Sequence, residues 1–148
     1  MILEKHVNFQ NIKIIKDFSN DLPEIQVDIN QFKSVINNLA LNAADAMPDG
    51  GKLQIKTKYD KNHEEIILTI ADTGSGISEE YITKIFDPFF TTKETGKGTG
   101  LGLSVTYGII QRHNGTIDVQ SDIGKGTTFT IKMPVSNIDS SIKGGYNE

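Results

Sequence analysis

Apolar residues change their repeat several times along the chain, and each change marks an element. Ile12-Lys13-Ile14-Ile15-Lys16-Asp17-Phe18 alternates well enough for a strand, and after Pro23 the run Glu24-Ile25-Gln26-Val27 predicts a second short one. Phe32, Val35, Ile36, Leu39, Ala40, Ala43 and Met47 then recur at the spacing of one helix face. Asp28 is placed to cap that helix, with Gln31 three residues later to complete a capping box, and Pro48-Asp49-Gly50-Gly51 stops it. Lys52–Tyr59 and Glu65–Ala71 alternate again around the polar turn 60–64, which predicts a hairpin.

Ser78, followed by Glu79 and Glu80, predicts a short capped helix ending near Ile85. Residues 86–100 show no period, and a loop of that length is usually functional or disordered. Leu103–His113 reads as a helix whose end carries His113, where a cation suits the helix dipole. Thr116–Gln120 and Thr127–Met133 are strands joined by Gly124-Lys125-Gly126. Residues 1–9 read as the remnant of an upstream helix or linker, 10–134 as one domain and 135–148 as a disordered polar tail. Strands in pairs, interrupted by helices, predict a two-layer α+β sandwich. Its sheet is mixed but mostly antiparallel, with the helices on one face.

Composition narrows the function more than the fold. The 148 residues are 36% hydrophobic and 23% charged, which suits one globular domain with a real core. A net charge of −4 argues against non-specific nucleic-acid binding, and the absence of cysteine excludes disulfides, thiolate metal sites and a cysteine nucleophile. No apolar run approaches the roughly 20 residues of a membrane span, and the N-terminus lacks a signal-peptide apolar region. A cytoplasmic location is compatible with this composition.

Candidate chemistry gathers around six glycines between positions 74 and 102. Such density is costly in conformational entropy and suits a backbone that approaches a ligand closely. Asp72 ends the row Ile66, Leu68, Ile70 on one strand face, so its carboxylate is partly buried and needs donors. Either an adenine amino group or the turn at Gly74 can supply them. Asn38 and Asn42 share a helix face with Asp45 about a turn beyond; they form either a solvated face or a pair of hard oxygen ligands for Mg²⁺. Gly98-Thr99-Gly100-Leu101-Gly102-Leu103 precedes a helix, where backbone N–H groups bind phosphate, and Lys93 and Lys97 can reach phosphates as point charges. Phe86, Phe89 and Phe90 pack the base of the loop, and His6, His63 and His113 read as structural or surface residues.

Taken together, these segments closely resemble the catalytic and ATP-binding domain of bacterial two-component sensor histidine kinases. Their superfamily also holds DNA gyrase, heat-shock chaperones, mismatch-repair ATPases and anti-sigma-factor serine kinases. Asn38-Leu39-Ala40-Leu41-Asn42-Ala43 matches the N box, Asp72-Thr73-Gly74-Ser75-Gly76 the first glycine box and Phe86–Phe90 the F box. Gly98–Gly102 matches the second glycine box and Gly124–Phe129 the third.

The resemblance implies a Bergerat-type ATP-binding fold and a set of roles. Asn42, with Asn38, would hold Mg²⁺ against the triphosphate, and Asp72 would accept from the adenine amino group with Thr127 in support. Gly74, Gly76, Ile77, Phe86 and Leu103 would shape the pocket. Residues 87–100 would be a mobile ATP lid, and Lys93, Lys97, Gly98, Thr99, Gly100, Leu101 and Gly102 would lie at the phosphates, with Asp45 close by. Lys93, Asn38 and Asn42 would serve the transfer. Relatives that hydrolyse ATP, and the anti-sigma kinases, usually carry a glutamate base where this chain has Asn38, and an amide cannot take a proton from water.

The implied activity is donation of the ATP γ-phosphoryl to a histidine on a separate dimerisation domain. A response regulator follows indirectly, and the isolated chain is expected to be a monomer without direct membrane contact. The alternatives are an anti-sigma-factor-type serine kinase and a non-catalytic ATP-binding module.

Overall fold

Asp28 opens the first helix as its spacing predicts, and its carboxylate accepts from the Gln31 N–H at 3.1 Å. The reciprocal half of the capping box does not form. The Asp28 N–H donates instead to His113 Nε2 at 3.0 Å, 85 residues away. The computed structural model describes residues 9–88, 90 and 102–135. Within them the elements run β1 (Ile12–Asp17), α1 (Ile29–Asp45), β2 (Gly51–Asp60), β3 (Glu65–Asp72), α2 (Glu79–Ile82), α3 (Gly102–Arg112), β4 (Thr116–Asp122) and β5 (Gly126–Pro134).

The strands form one sheet in the order β1-β2-β3-β5-β4. β2–β3, β3–β5 and β4–β5 are antiparallel, whereas β1 and β2 are parallel with α1 as their crossover. Alternation decides the faces. Leu53, Ile55, Leu68, Ile70, Phe129, Ile131 and Met133 are buried toward the helices, and Lys52, Gln54 and Lys56 are exposed on the other side. Val35, Leu39, Ala40, Ala43 and Ala44 of α1 and Ile109 and Ile110 of α3 complete the core. This is the expected two-layer α+β sandwich with a mostly antiparallel mixed sheet.

Four local expectations are corrected. Glu24–Val27 is not a strand; it is an extended segment whose Ile25 and Val27 pack against the core. Its alternation records one-sided burial, and the ladder beside β1 belongs to β2. Ser78 occupies the α2 cap position but its side chain makes no cap hydrogen bond, and α2 gives way to turns after Ile82. His113, expected to close α3 as a terminal cation, instead bridges two backbone groups: its Nδ1 lies 2.8 Å from the Ile109 carbonyl and its Nε2 accepts from the Asp28 N–H. The chain ends of α1 and α3 are tied together by that ring. His63, in the β2–β3 turn, is exposed as expected, and its Nδ1 lies 2.8 Å from Asp60 Oδ2.

No described helix is long and apolar enough to cross a membrane. Lys93, Lys97, Gly98, Thr99, Gly100, Leu101, Phe89 and His6 lie outside the described residues, as do most of the expected lid and the tail after 135.

Candidate functional site

One row of residues crosses the sheet at the end where β3 stops. Ile14 pairs with Leu53, Leu53 with Asp72, and Ser121 with Thr127. Asp72 and Thr127 meet one step beyond the Ala71–Thr128 pair, through a bond from the Thr127 N–H to Asp72 Oδ1 at 3.3 Å. The row is therefore apolar on β1 and β2 and polar on β3, β5 and β4. Asp72 lies two residues after Ile70 and Thr127 two before Phe129, so both side chains lie on the helix-facing side of the sheet.

Asp72 also accepts from the Gly74 N–H at 2.8 Å, so it does anchor the turn there. Both backbone donors fall on Oδ1, and Oδ2 takes neither. Burial raises the carboxyl above the ordinary aspartate range, and the two N–H groups offset only part of that effect. A half-buried carboxylate fixed by one oxygen presents the other as a directed acceptor, suited to an amino group.

The loop after Asp72 is clamped from two sides. The Ser75 N–H donates to the Ala46 carbonyl at 3.0 Å, at the C-terminal end of α1, and the Ser75 carbonyl accepts from the Gly124 N–H at 2.8 Å. A side chain at Gly74 would meet Ala46 O at 2.6 Å. Gly76 has φ +80° and Gly126 has φ +122°; a Cβ at Gly126 would lie 2.0 Å from the Asp72 carbonyl. The Ile77 N–H donates to Ser121 Oγ at 2.7 Å, which joins the loop to β4. Thus the residues of the first and third glycine boxes close on each other around Asp72.

Asn38 and Asn42 are half-buried on α1, and Asp45 is exposed in its last turn. The Asn38 Nδ2 donates to the Gly102 carbonyl at 3.2 Å and to Thr106 Oγ1 at 3.4 Å, which identifies the amide nitrogen and leaves Oδ1 outside both bonds. Thr106, fully buried, lies one turn beyond Gly102 and so shares its face of α3. Asn38 is thus both a strut from α1 to the start of α3 and a source of a hard oxygen. Leu103 packs against the core. Phe86 packs rather than standing open, with its ring 5.2 Å from Tyr107 and 6.4 Å from Phe129.

Sequence reasoning missed Ser121 and Thr106. Ser121 was findable: hairpin register about the Gly124-Lys125-Gly126 turn places it opposite Thr127. Thr106 had no local signal, because its role depends on how α3 lies against α1.

The chain matches a family model described as histidine kinase-, DNA gyrase B-, and HSP90-like ATPase over residues 27–137. It is 44% identical over 147 residues to the sensor kinase CckA of Brucella abortus, covering 90% of this chain and 15% of that protein. With sporulation kinase E of Bacillus subtilis it shares 41% identity over 135 residues, covering 90% of this chain and 18% of the relative. The chain therefore spans under a fifth of the length of these two relatives. A solved catalytic domain of histidine kinase ThkA superposes with a TM-score of 0.77 at 32% identity, covering 90% of this chain and 86% of that domain. With the Asp72–Thr127 row and the Asn38–Asn42 helix face joined in one fold, the chain belongs to the histidine kinase-, DNA gyrase B-, and HSP90-like ATPase family, as an ATP-binding domain of the histidine-kinase catalytic type.

Proposed function

We propose that this chain binds Mg·ATP and donates the γ-phosphoryl group to a histidine on a helical dimerisation domain outside this chain. The observation that carries the reading is Asp72, held through Oδ1 by the Gly74 and Thr127 N–H groups at the polar end of a buried row. Its second oxygen accepts the adenine amino group, with Thr127 beside it. Gly74, Gly76 and Ile77 fix the wall behind the base, with Phe86 and Leu103 packed beneath.

The triphosphate runs toward α1 and the start of α3. Asn42 and Asn38 offer amide oxygens, the hard donors that Mg²⁺ takes, so the donor set fits the ion. When bound with ATP, the ion neutralises charge on the phosphate oxygens. Gly102, Gly98, Thr99, Gly100 and Leu101 supply backbone N–H groups, and Lys93 and Lys97 supply cations, with Asp45 at the rim. In the transfer, the P–O bond to the β-phosphate breaks as the acceptor imidazole nitrogen bonds to phosphorus. ADP leaves, and the imidazole loses its proton to solvent. The chain's contribution is positioning and charge compensation, which dominate phosphoryl transfer.

Asn38 offers no base for water, which favours transfer over hydrolysis. The compartment is the ATP-containing cytoplasm, and a response regulator receives the phosphoryl group from the acceptor domain. Mixing the chain with a histidine-bearing helical hairpin from a matching kinase and γ-labelled ATP should put acid-labile label on the hairpin. Stable label on the chain itself, or brisk turnover of ATP by the chain alone, overturns this reading in favour of a serine kinase or an ATPase.

A further inference from the structure

Ser121 is the residue on which three parts of the site converge. Its Oγ lies 2.7 Å from the Ile77 nitrogen, 3.0 Å from the Gly126 carbonyl oxygen and 2.8 Å from Thr127 Oγ1. The chemistry of the partners assigns the protons. The Ile77 N–H can only donate, so Ser121 Oγ accepts from it. The Gly126 carbonyl can only accept, so the single Ser121 proton goes there. The remaining contact is then a bond from the Thr127 hydroxyl to Ser121 Oγ. Thr127 is 5% exposed, so no bulk water competes for that proton.

With its proton committed, Thr127 Oγ1 presents only lone pairs, next to an Asp72 carboxylate that also only accepts. We infer that Ser121 is a positioning residue that sets base specificity: it orients the Thr127 hydroxyl so that this edge of the site matches an amino group and rejects a ring carbonyl. The inference rests on the proposal that Asp72 and Thr127 face the base. It goes beyond it by naming what stops a rotatable hydroxyl from serving either kind of ligand. Without Ser121 Oγ, the Thr127 proton is free to turn toward a 6-oxo group, and the distinction narrows.

ADP and inosine diphosphate test this, because they differ at the purine 6-position and its neighbouring ring nitrogen. Calorimetry on the unaltered chain should show ADP bound well and inosine diphosphate weakly. Ser121→Ala should narrow the ratio of the two affinities by about tenfold, the scale of one misassigned hydrogen bond, chiefly through better binding of the 6-oxo ligand. Ser121→Cys nearly keeps the packing but its sulfur is a weak hydrogen-bond acceptor, so it should shift the ratio the same way. In a Thr127→Val background, adding Ser121→Ala should leave the ratio unmoved, since the hydroxyl it orients is gone. An unchanged ratio in folded Ser121→Ala or Ser121→Cys, or a further change on the Thr127→Val background, overturns the inference while leaving the base site standing. Failure of the unaltered chain to bind ADP overturns the base site and this inference together.

Discussion

Asp72 and Thr127, 55 residues apart, are joined by a backbone N–H to carboxylate bond of 3.3 Å that closes β5 onto the end of β3. The bond uses Oδ1, which also holds Gly74, so one oxygen serves the fold and the other takes neither bond; under the proposed function that second oxygen meets the adenine amino group. Asp72→Asn can keep both backbone bonds through its amide oxygen but turns a donor toward the ligand. ATP affinity should fall about 10- to 100-fold, the range of a lost hydrogen bond to a charged acceptor. The thermal midpoint should not fall, because an ionised, half-buried carboxylate has been removed. Calorimetry and thermal denaturation check the pair of outcomes, and unchanged affinity would sink the adenine assignment.

The same carboxylate predicts a pH dependence with two signs. Burial raises Asp72 in the folded chain, so the fold binds its proton more tightly than the unfolded chain does. Its contribution to stability is therefore greatest at low pH and declines as pH rises through the raised folded value. Ligand binding runs the other way, because protonation removes the acceptor. On acidification from about pH 7, ATP affinity should begin to drop above the ordinary aspartate range near 3.9. In Asp72→Asn this component should vanish. An affinity profile that is the same for both proteins would remove Asp72 from the binding step.

The two asparagines of α1 should separate. Asn42→Ala should weaken the Mg²⁺ dependence of ATP binding while leaving ADP binding without the metal largely intact. Asn38→Ala should do this and also cost about 1 kcal/mol of stability, because its amide ties α1 to Gly102 and Thr106. Metal-dependent calorimetry alongside urea denaturation distinguishes them. Identical behaviour of the two variants would show that Asn38 has no strut function.

His113 is expected to matter for the fold and not for the nucleotide. His113→Ala removes the acceptor for the Asp28 N–H at the start of α1 and the donor to the Ile109 carbonyl near the end of α3. The loss should be about 1–2 kcal/mol. ADP affinity should stay within twofold of the unaltered chain, as judged by calorimetry below the melting transition.

Gly126→Ala should be severe. The φ of +122° disfavours any side chain, and the new Cβ would fall 2.0 Å from the Asp72 carbonyl oxygen. Relief requires β5 to retreat from Asp72, so a loss above about 3 kcal/mol is expected together with loss of nucleotide binding. Near-normal urea denaturation would mean that the β4–β5 turn is not clamped on Asp72.

The local elements and the chemistry they carry are legible in the order of the residues alone. The period of Phe32–Met47 and the Asp28 cap place α1, alternation places the β2–β3 and β4–β5 hairpins, and the row ending in Asp72 marks a carboxylate that needs donors. These depend on neighbours within a few residues, where side-chain direction is fixed by backbone geometry. Tertiary structure decided what long-range partners compete for. Glu24–Val27 alternates like a strand but joins no ladder: Ile25 and Val27 pack against the core, and the strand paired with β1 is β2, in parallel after the α1 crossover. The Gln31 half of the capping box loses its target because His113 arrives from α3. Both missed polar residues, Ser121 and Thr106, take their importance from groups on other elements. A hydrogen-bond donor is satisfied by whichever acceptor the packed fold brings nearest, and local sequence spacing alone does not specify that partner.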